Sequence, residues 1–183
     1  MIPTRTLAAM MLFGCCLAAH ADEISICYNY GCASQATVSF TASQLSRIGA
    51  LFKPVTNAAA ERFAIADAIG LLETFAGEQT PTFRDKGGNT ADEGVDGRMD
   101  CIDHSRNTTA YLRLFEQRGW LKHHKVAGPA KRAPMLVNEH WAASVTEMQT
   151  MQQFIVDSWF YDNGKPAAIF ALEDWLNGAT PDE

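Results

Sequence analysis

The stretch from Asp100 to Gly119 constrains this chain most, because it carries helix signals at both ends and a cysteine at its first helical position. Asp100 suits an N-cap, Asp103 stands at the third helical position, and Gly119 suits a C-terminal stop. Tyr111 and Phe115 recur at i, i+4, as do Ala110 and Leu114, which predicts a buried stripe. Cys101 therefore falls in the first turn, where unpaired backbone N–H groups and the helix dipole favour an anion and so a thiolate nucleophile. The same N–H groups suit the oxyanion formed when a thiolate attacks a carbonyl. The carboxylates of Asp100 and Asp103 oppose the thiolate, so chemistry at Cys101 needs a basic partner to offset them.

Cysteine usage points to the compartment. Arg5 followed by the uncharged run of residues 6–19 and then Ala19-His20-Ala21 reads as a secretory signal over residues 1–21, cleaved after Ala21. Leu12-Phe13-Gly14-Cys15 is the alternative, a lipid anchor on Cys15, but Phe13 fits such a box badly. Cys15 and Cys16 leave with the signal, and Cys27, Cys32 and Cys101 stay. In an oxidising compartment Cys27 and Cys32 are close enough to pair around a turn-prone Tyr-Asn-Tyr-Gly, between strand-like runs Glu23–Cys27 and Gln35–Phe40. Cys101 is then left over, unless it pairs with Cys27 or Cys32 and loses its chemistry.

Residues 22–183 read as one domain without repeats or low-complexity linkers. A short helix over Thr41–Phe52 stops before Pro54. Asn57–Ala76 reads as an amphipathic helix, with Ile65, Ile69, Leu72 and Ala76 on its core face and Glu61 and Asp67 off it. Glu78–Asp100 is a glycine- and acid-rich loop, long enough to expect a function, and it runs straight into Cys101. Strands are predicted at Trp120–Val126, Leu136–Val145 and Gln153–Phe160. Pairing the last two as a hairpin with His140 opposite Asp157 centres the turn between Met148 and Gln149 and points both side chains to one face. A helix laid across that face brings Cys101 to the imidazole, filling the roles of thiolate, base and tautomer-fixing carboxylate. Asp162-Asn163-Gly164 reads as a tight turn, and Ala167–Asn177 as a strand entering a short helix that Gly178 stops.

Asp100-Cys101-Ile102-Asp103, His140-Trp141 and Val156-Asp157-Ser158-Trp159, in that order, resemble the motifs of bacterial transglutaminase-like cysteine proteinases, which have a papain-like fold. The resemblance spans residues 98–160. It implies Cys101 as nucleophile, His140 as general base and acid, and Asp157 as the orienting carboxylate. It also implies a periplasmic thiol protease acting on protein substrates, with calcium held near the cysteine by Asp100 and Asp103. The chain departs from the pattern in the polar His104, Ser105 and Asn107 on the catalytic helix. No upstream glutamine or aromatic stands out as a second oxyanion donor, leaving Asn89, Asn107 and Trp141 as candidates.

Other constellations are weaker. Cys101, His104, His123, His124 and His140 lack a completing ligand pair for zinc. Lys122, His123, His124, Lys125, Lys131 and Arg132 read as a solvated basic face. With 15 basic against 21 acidic side chains, net −6, the chain has no excess with which to neutralise phosphates, and nucleic acid is not expected as a partner. No apolar run beyond the leader suits a membrane span. Trp141, Trp159 and Trp175 read as core or cleft walls, with Trp159 on the face of Asp157. The expected product is a monomeric α+β domain, helical in its N-terminal half, then an antiparallel sheet packed on the catalytic helix. It is read as a peptidase, amidase or transamidase working through a thioester, with no required cofactor. The alternative is a non-catalytic binding or scaffold domain that keeps the fold.

Overall fold

The computed structural model describes residues 22–133 and 139–181; the leader assigned to 1–21 and the strand residues 136–138 lie outside them. Strands β1 (Asp22–Tyr28) and β2 (Ser34–Phe40) form an antiparallel hairpin with Tyr28 opposite Ser34. Asn29, Tyr30, Gly31 and Cys32 all take positive φ, a left-handed turn that L-residues adopt only when something else holds it. The Cys27–Cys32 disulfide closes its base, so Cys101 is the free cysteine among the described residues.

Thr41 caps helix α1 (Ala42–Phe52) through a capping box with Gln44, and Asn57 caps α2 (Ala58–Gly77). Ile65, Ile69, Leu72 and Ala76 are buried in the core as their spacing predicts. Two acids depart from the reading of α2 as amphipathic, Glu61 and Glu73, both buried; the Glu61 carboxylate accepts the N–H groups of Lys122, His123 and His124 and faces His124 Nδ1 at 3.0 Å. Gly70 lets α2 meet the 164–165 turn, where a Cβ would lie 2.8 Å from the Lys165 carbonyl. The long loop holds one 3-10 turn, Pro81–Arg84, and otherwise runs irregularly to α3 (Cys101–Gln117).

After α3 come β3 (His124–Val126), β4 (Ala130–Arg132), β5 (His140–Glu147), β6 (Gln153–Asp157), β7 (Ala168–Ala171) and α4 (Leu172–Leu176). The antiparallel sheet runs β3-β5-β6-β7, with β4 pairing the start of β5. Helix α3 packs Tyr111, Leu112 and Phe115 into a core shared with Ile65, Ile69, Ala143, Val145 and Val156. The architecture is α+β.

Three strand expectations need correction. Only His124–Val126 of 120–126 is strand; Trp120 instead stacks on Phe52 at 5.8 Å and on Phe115 at 5.9 Å, trading extended pairing for aromatic packing. Strand β6 ends at Asp157, because Ser158 turns inward to buried partners on α3. The β5–β6 register pairs Ala143 with Val156 and Ser144 with Ile155. Continuing it sets Asp157 level with Ala142, two residues from His140. A two-residue slip preserves the face of a strand, so the two side chains still meet, on a diagonal.

Candidate active site

Asp100 starts α3 as an N-cap: its Oδ1 accepts the N–H groups of Ile102 (3.0 Å) and Asp103 (2.9 Å), and its carbonyl accepts that of His104. This leaves the N–H of Cys101 outside the cap, beside its own half-buried thiol. The thiol also lies 3.9 Å from the Glu139 carbonyl, which tethers it to the chain entering β5.

His140, the first residue of β5, is largely buried. Its Nε2 meets Asp157 Oδ2 at 2.7 Å, which leaves Nδ1 outside that pair. Burial alone pushes this imidazole down; hydrogen bonds to Asp157 and Cys101, and the charges behind them, reverse that and raise it to about 9. Asp157 is almost wholly buried and satisfied on both oxygens: Trp175 Nε1 donates to Oδ2 at 3.0 Å, and the Trp159 N–H to Oδ1 at 3.3 Å. The His140 ring is packed by Trp159, Phe160 and Trp175, with centroids 4.8, 5.7 and 5.7 Å away. These rings cover much of the imidazole surface.

Cys101 and His140 open into a cleft of about 540 Å³, walled by Tyr30, Asn89, Thr90, Asp100, Arg132, Glu139, Trp159 and Gly178. Five of these, Tyr30, Thr90, Arg132, Glu139 and Gly178, carry no cleft signal in the sequence. Arg132 was read as a solvated basic residue; in fact its Nη1 donates to the carbonyls of Trp175 (2.6 Å) and Ala179 (3.1 Å), with the guanidinium 4.7 Å over the Trp175 ring. It thereby fastens the tryptophan that holds Asp157. The Tyr30 hydroxyl donates to Asp92 at 2.5 Å and to the Asn89 carbonyl at 3.4 Å, pinning the long loop to the disulfide turn.

Of the three candidate second oxyanion donors, Asn89 alone lies on the cleft. Its Oδ1 accepts the Ala91 N–H at 2.8 Å, which leaves its amide NH2 outside that turn. Asn107 is spent on β1, accepting the Cys27 N–H at 2.7 Å and donating to the Cys27 carbonyl at 2.8 Å. Trp141 carries Lys131 over its ring, 5.4 Å from the centroid.

Asp100 and Asp103 do not fit a calcium ion. Beyond its N-cap bonds, Asp100 accepts the Gly31 N–H on Oδ2 at 2.9 Å. Asp103 accepts Cys32 N–H on Oδ1 at 2.6 Å, and Tyr30 N–H and Asp100 N–H on Oδ2 at 2.8 and 3.3 Å. All four oxygens face N–H donors, where a cation would need them turned outward. Burial and the Asp100 charge raise Asp103 to about 6 even against these hydrogen bonds. The two carboxylates tie the left-handed disulfide turn to the start of α3.

The zinc constellation disperses. His104 pairs with Asp85, His124 with Glu61 and His140 with Asp157, each at a different place. Among the described residues, the ligand-type cluster is Cys27, Cys32 and Asp103, whose sulfurs are consumed by the disulfide. The basic stretch is no continuous face either, since His124 is buried. Among the described residues no helix is long and apolar enough to cross a membrane.

No family model matches the sequence, and no curated protein or solved structure matches it. The case for a function therefore rests on the geometry.

Proposed function

We propose that this chain is an exported thiol hydrolase with a transglutaminase-like, papain-like core, acting on amide bonds of a protein or peptide. The observation that carries this reading is the His140–Asp157 pair, Nε2 to Oδ2 at 2.7 Å, lining the same open cleft as the free Cys101. The Cys101 sulfur attacks the substrate carbonyl carbon, and the Cys101 N–H and the Asn89 amide hold the oxyanion that forms. Protonated His140 gives its proton to the departing amine as the C–N bond breaks, leaving a thioester on Cys101. His140 then draws a proton from water, giving hydrolysis, or from a second amine, giving transamidation; the thioester breaks and the thiolate returns. Asp157 holds the ring and balances the imidazolium charge throughout. The disulfide and the leader motif support export.

The test is acylation of Cys101 by p-nitrophenyl acetate. One equivalent of p-nitrophenolate should be released in a burst, with an acetyl adduct on Cys101 by mass spectrometry, and both should vanish in Cys101→Ser. An unacylated Cys101 that also alkylates with iodoacetamide no faster than a free thiol would leave a non-catalytic domain as the better reading.

A further inference from the structure

The catalytic helix carries a second imidazole, one turn beyond Cys101. His104 is 2% exposed, with Nε2 2.9 Å from Asp85 Oδ2, Nδ1 2.8 Å from Ser158 Oγ, and Glu73 Oε1 3.8 Å from Nδ1. Burial pushes this ring down, but Asp85 and Glu73 raise it to about 10, which favours the imidazolium at neutral pH, with an N–H on each side. Hydroxyl, imidazole and carboxylate stand in the order of a nucleophile relay. Ser158 and Asp85 are also buried, so no substrate reaches them.

What this group touches suggests another role. Ser158 follows Asp157 in the chain, and its hydroxyl also meets Thr108 Oγ1 at 3.1 Å. Asp85 accepts the Met99 N–H at 2.7 Å on its other oxygen, two residues before Cys101. One buried ion thus ties the loop leading to the nucleophile, the helix that starts with it, and the segment that carries the triad carboxylate. An apolar trio of similar volume would pack these segments, but without direction; a charged donor between fixed acceptors admits one arrangement.

We propose that His104 and Asp85 form a positioning pair for the triad, acting through the Ser158 hydroxyl to set the Asp157 carboxylate against His140. This rests on the triad reading above. It also gives the polar character of the catalytic helix a purpose.

The experiment follows the His140 imidazole by NMR across pH in the wild type, His104→Gln, Ser158→Ala and a control, Thr109→Val, with Tm measured for each. Thr109 is a buried hydroxyl on the same helix that bonds only its own turn, to the Ser105 carbonyl. In the wild type His140 should titrate near about 9. In folded His104→Gln and Ser158→Ala it should fall by about one unit or more toward the ordinary value near 6.5. In Thr109→Val it should stay put even if Tm drops. Ser158→Ala removes a single hydroxyl and carries the test if His104→Gln does not fold. An unmoved His140 titration in folded Ser158→Ala would overturn the positioning role and leave the triad standing. A wild-type His140 near 6.5 would overturn both.

Discussion

Replacing Asp157 by Asn isolates the energy stored in the proposed triad. The side chains have nearly the same shape, so the Trp159 N–H can still find an acceptor, but the buried negative charge beside His140 is gone. His140 is raised from 6.5 to about 9, which at ~1.4 kcal/mol per pH unit is about 3.5 kcal/mol. Burial opposes that rise and Cys101 adds to it, so the figure is the net for the site and not the worth of Asp157 alone. The expected result is a tenfold to hundredfold slower alkylation of Cys101 by iodoacetamide at pH 7, with His140 titrating toward 6.5 by NMR. The sign extends to stability. A raised folded-state value means the His140 contribution is fully present below 6.5 and is lost as pH climbs through about 9. Tm should therefore decline over that window in the wild type and less steeply in Asp157→Asn. Equal alkylation rates in the two proteins, with His140 titrating alike, would refute the reasoning.

Three further outcomes follow from named contacts. Glu61→Ala strands three backbone N–H groups and the His124 ring, and should cost about 3–5 kcal/mol in denaturant unfolding, as for other broken buried pairs; a loss below 1 kcal/mol would mean the site relaxes. Cys27→Ser with Cys32→Ser should lower stability by about 2 kcal/mol, the small value expected of a short closed loop. Because that turn feeds N–H groups to Asp100 and Asp103, alkylation of Cys101 should slow as well; an unchanged rate would uncouple the turn from the site. Excess chelator should leave Tm unchanged, whereas a drop reversed by calcium would show the carboxylates of Asp100 and Asp103 turning from their N–H donors to a metal.

The disulfide turn and the start of α3 form one device. Four consecutive left-handed residues are costly, and here they are clamped covalently on one side and by two carboxylates on the other. The turn in turn satisfies the acids that would otherwise crowd Cys101 with unpaired negative charge. Acidic residues beside a proposed thiolate thus serve as anchors.

Local rules were enough for the parts whose partners lie nearby in the chain. The cap at Asp100, the core stripe of α2, the 27–32 pairing and the face shared by His140 and Asp157 follow from residue type and spacing, since a helix repeats every 3.6 residues and a strand every two. The extent of a strand is different, because it depends on what lies across from it: Trp120 left its predicted strand for Phe52, and Ser158 left its own for His104. The β5–β6 register likewise moved by two residues, a change the alternation of side chains cannot detect. Buried charge is least visible of all. Glu61 and His104 carry residue types that ordinarily face water, and only the folded chain brings the backbone amides and carboxylates, distant in sequence, that make their burial affordable.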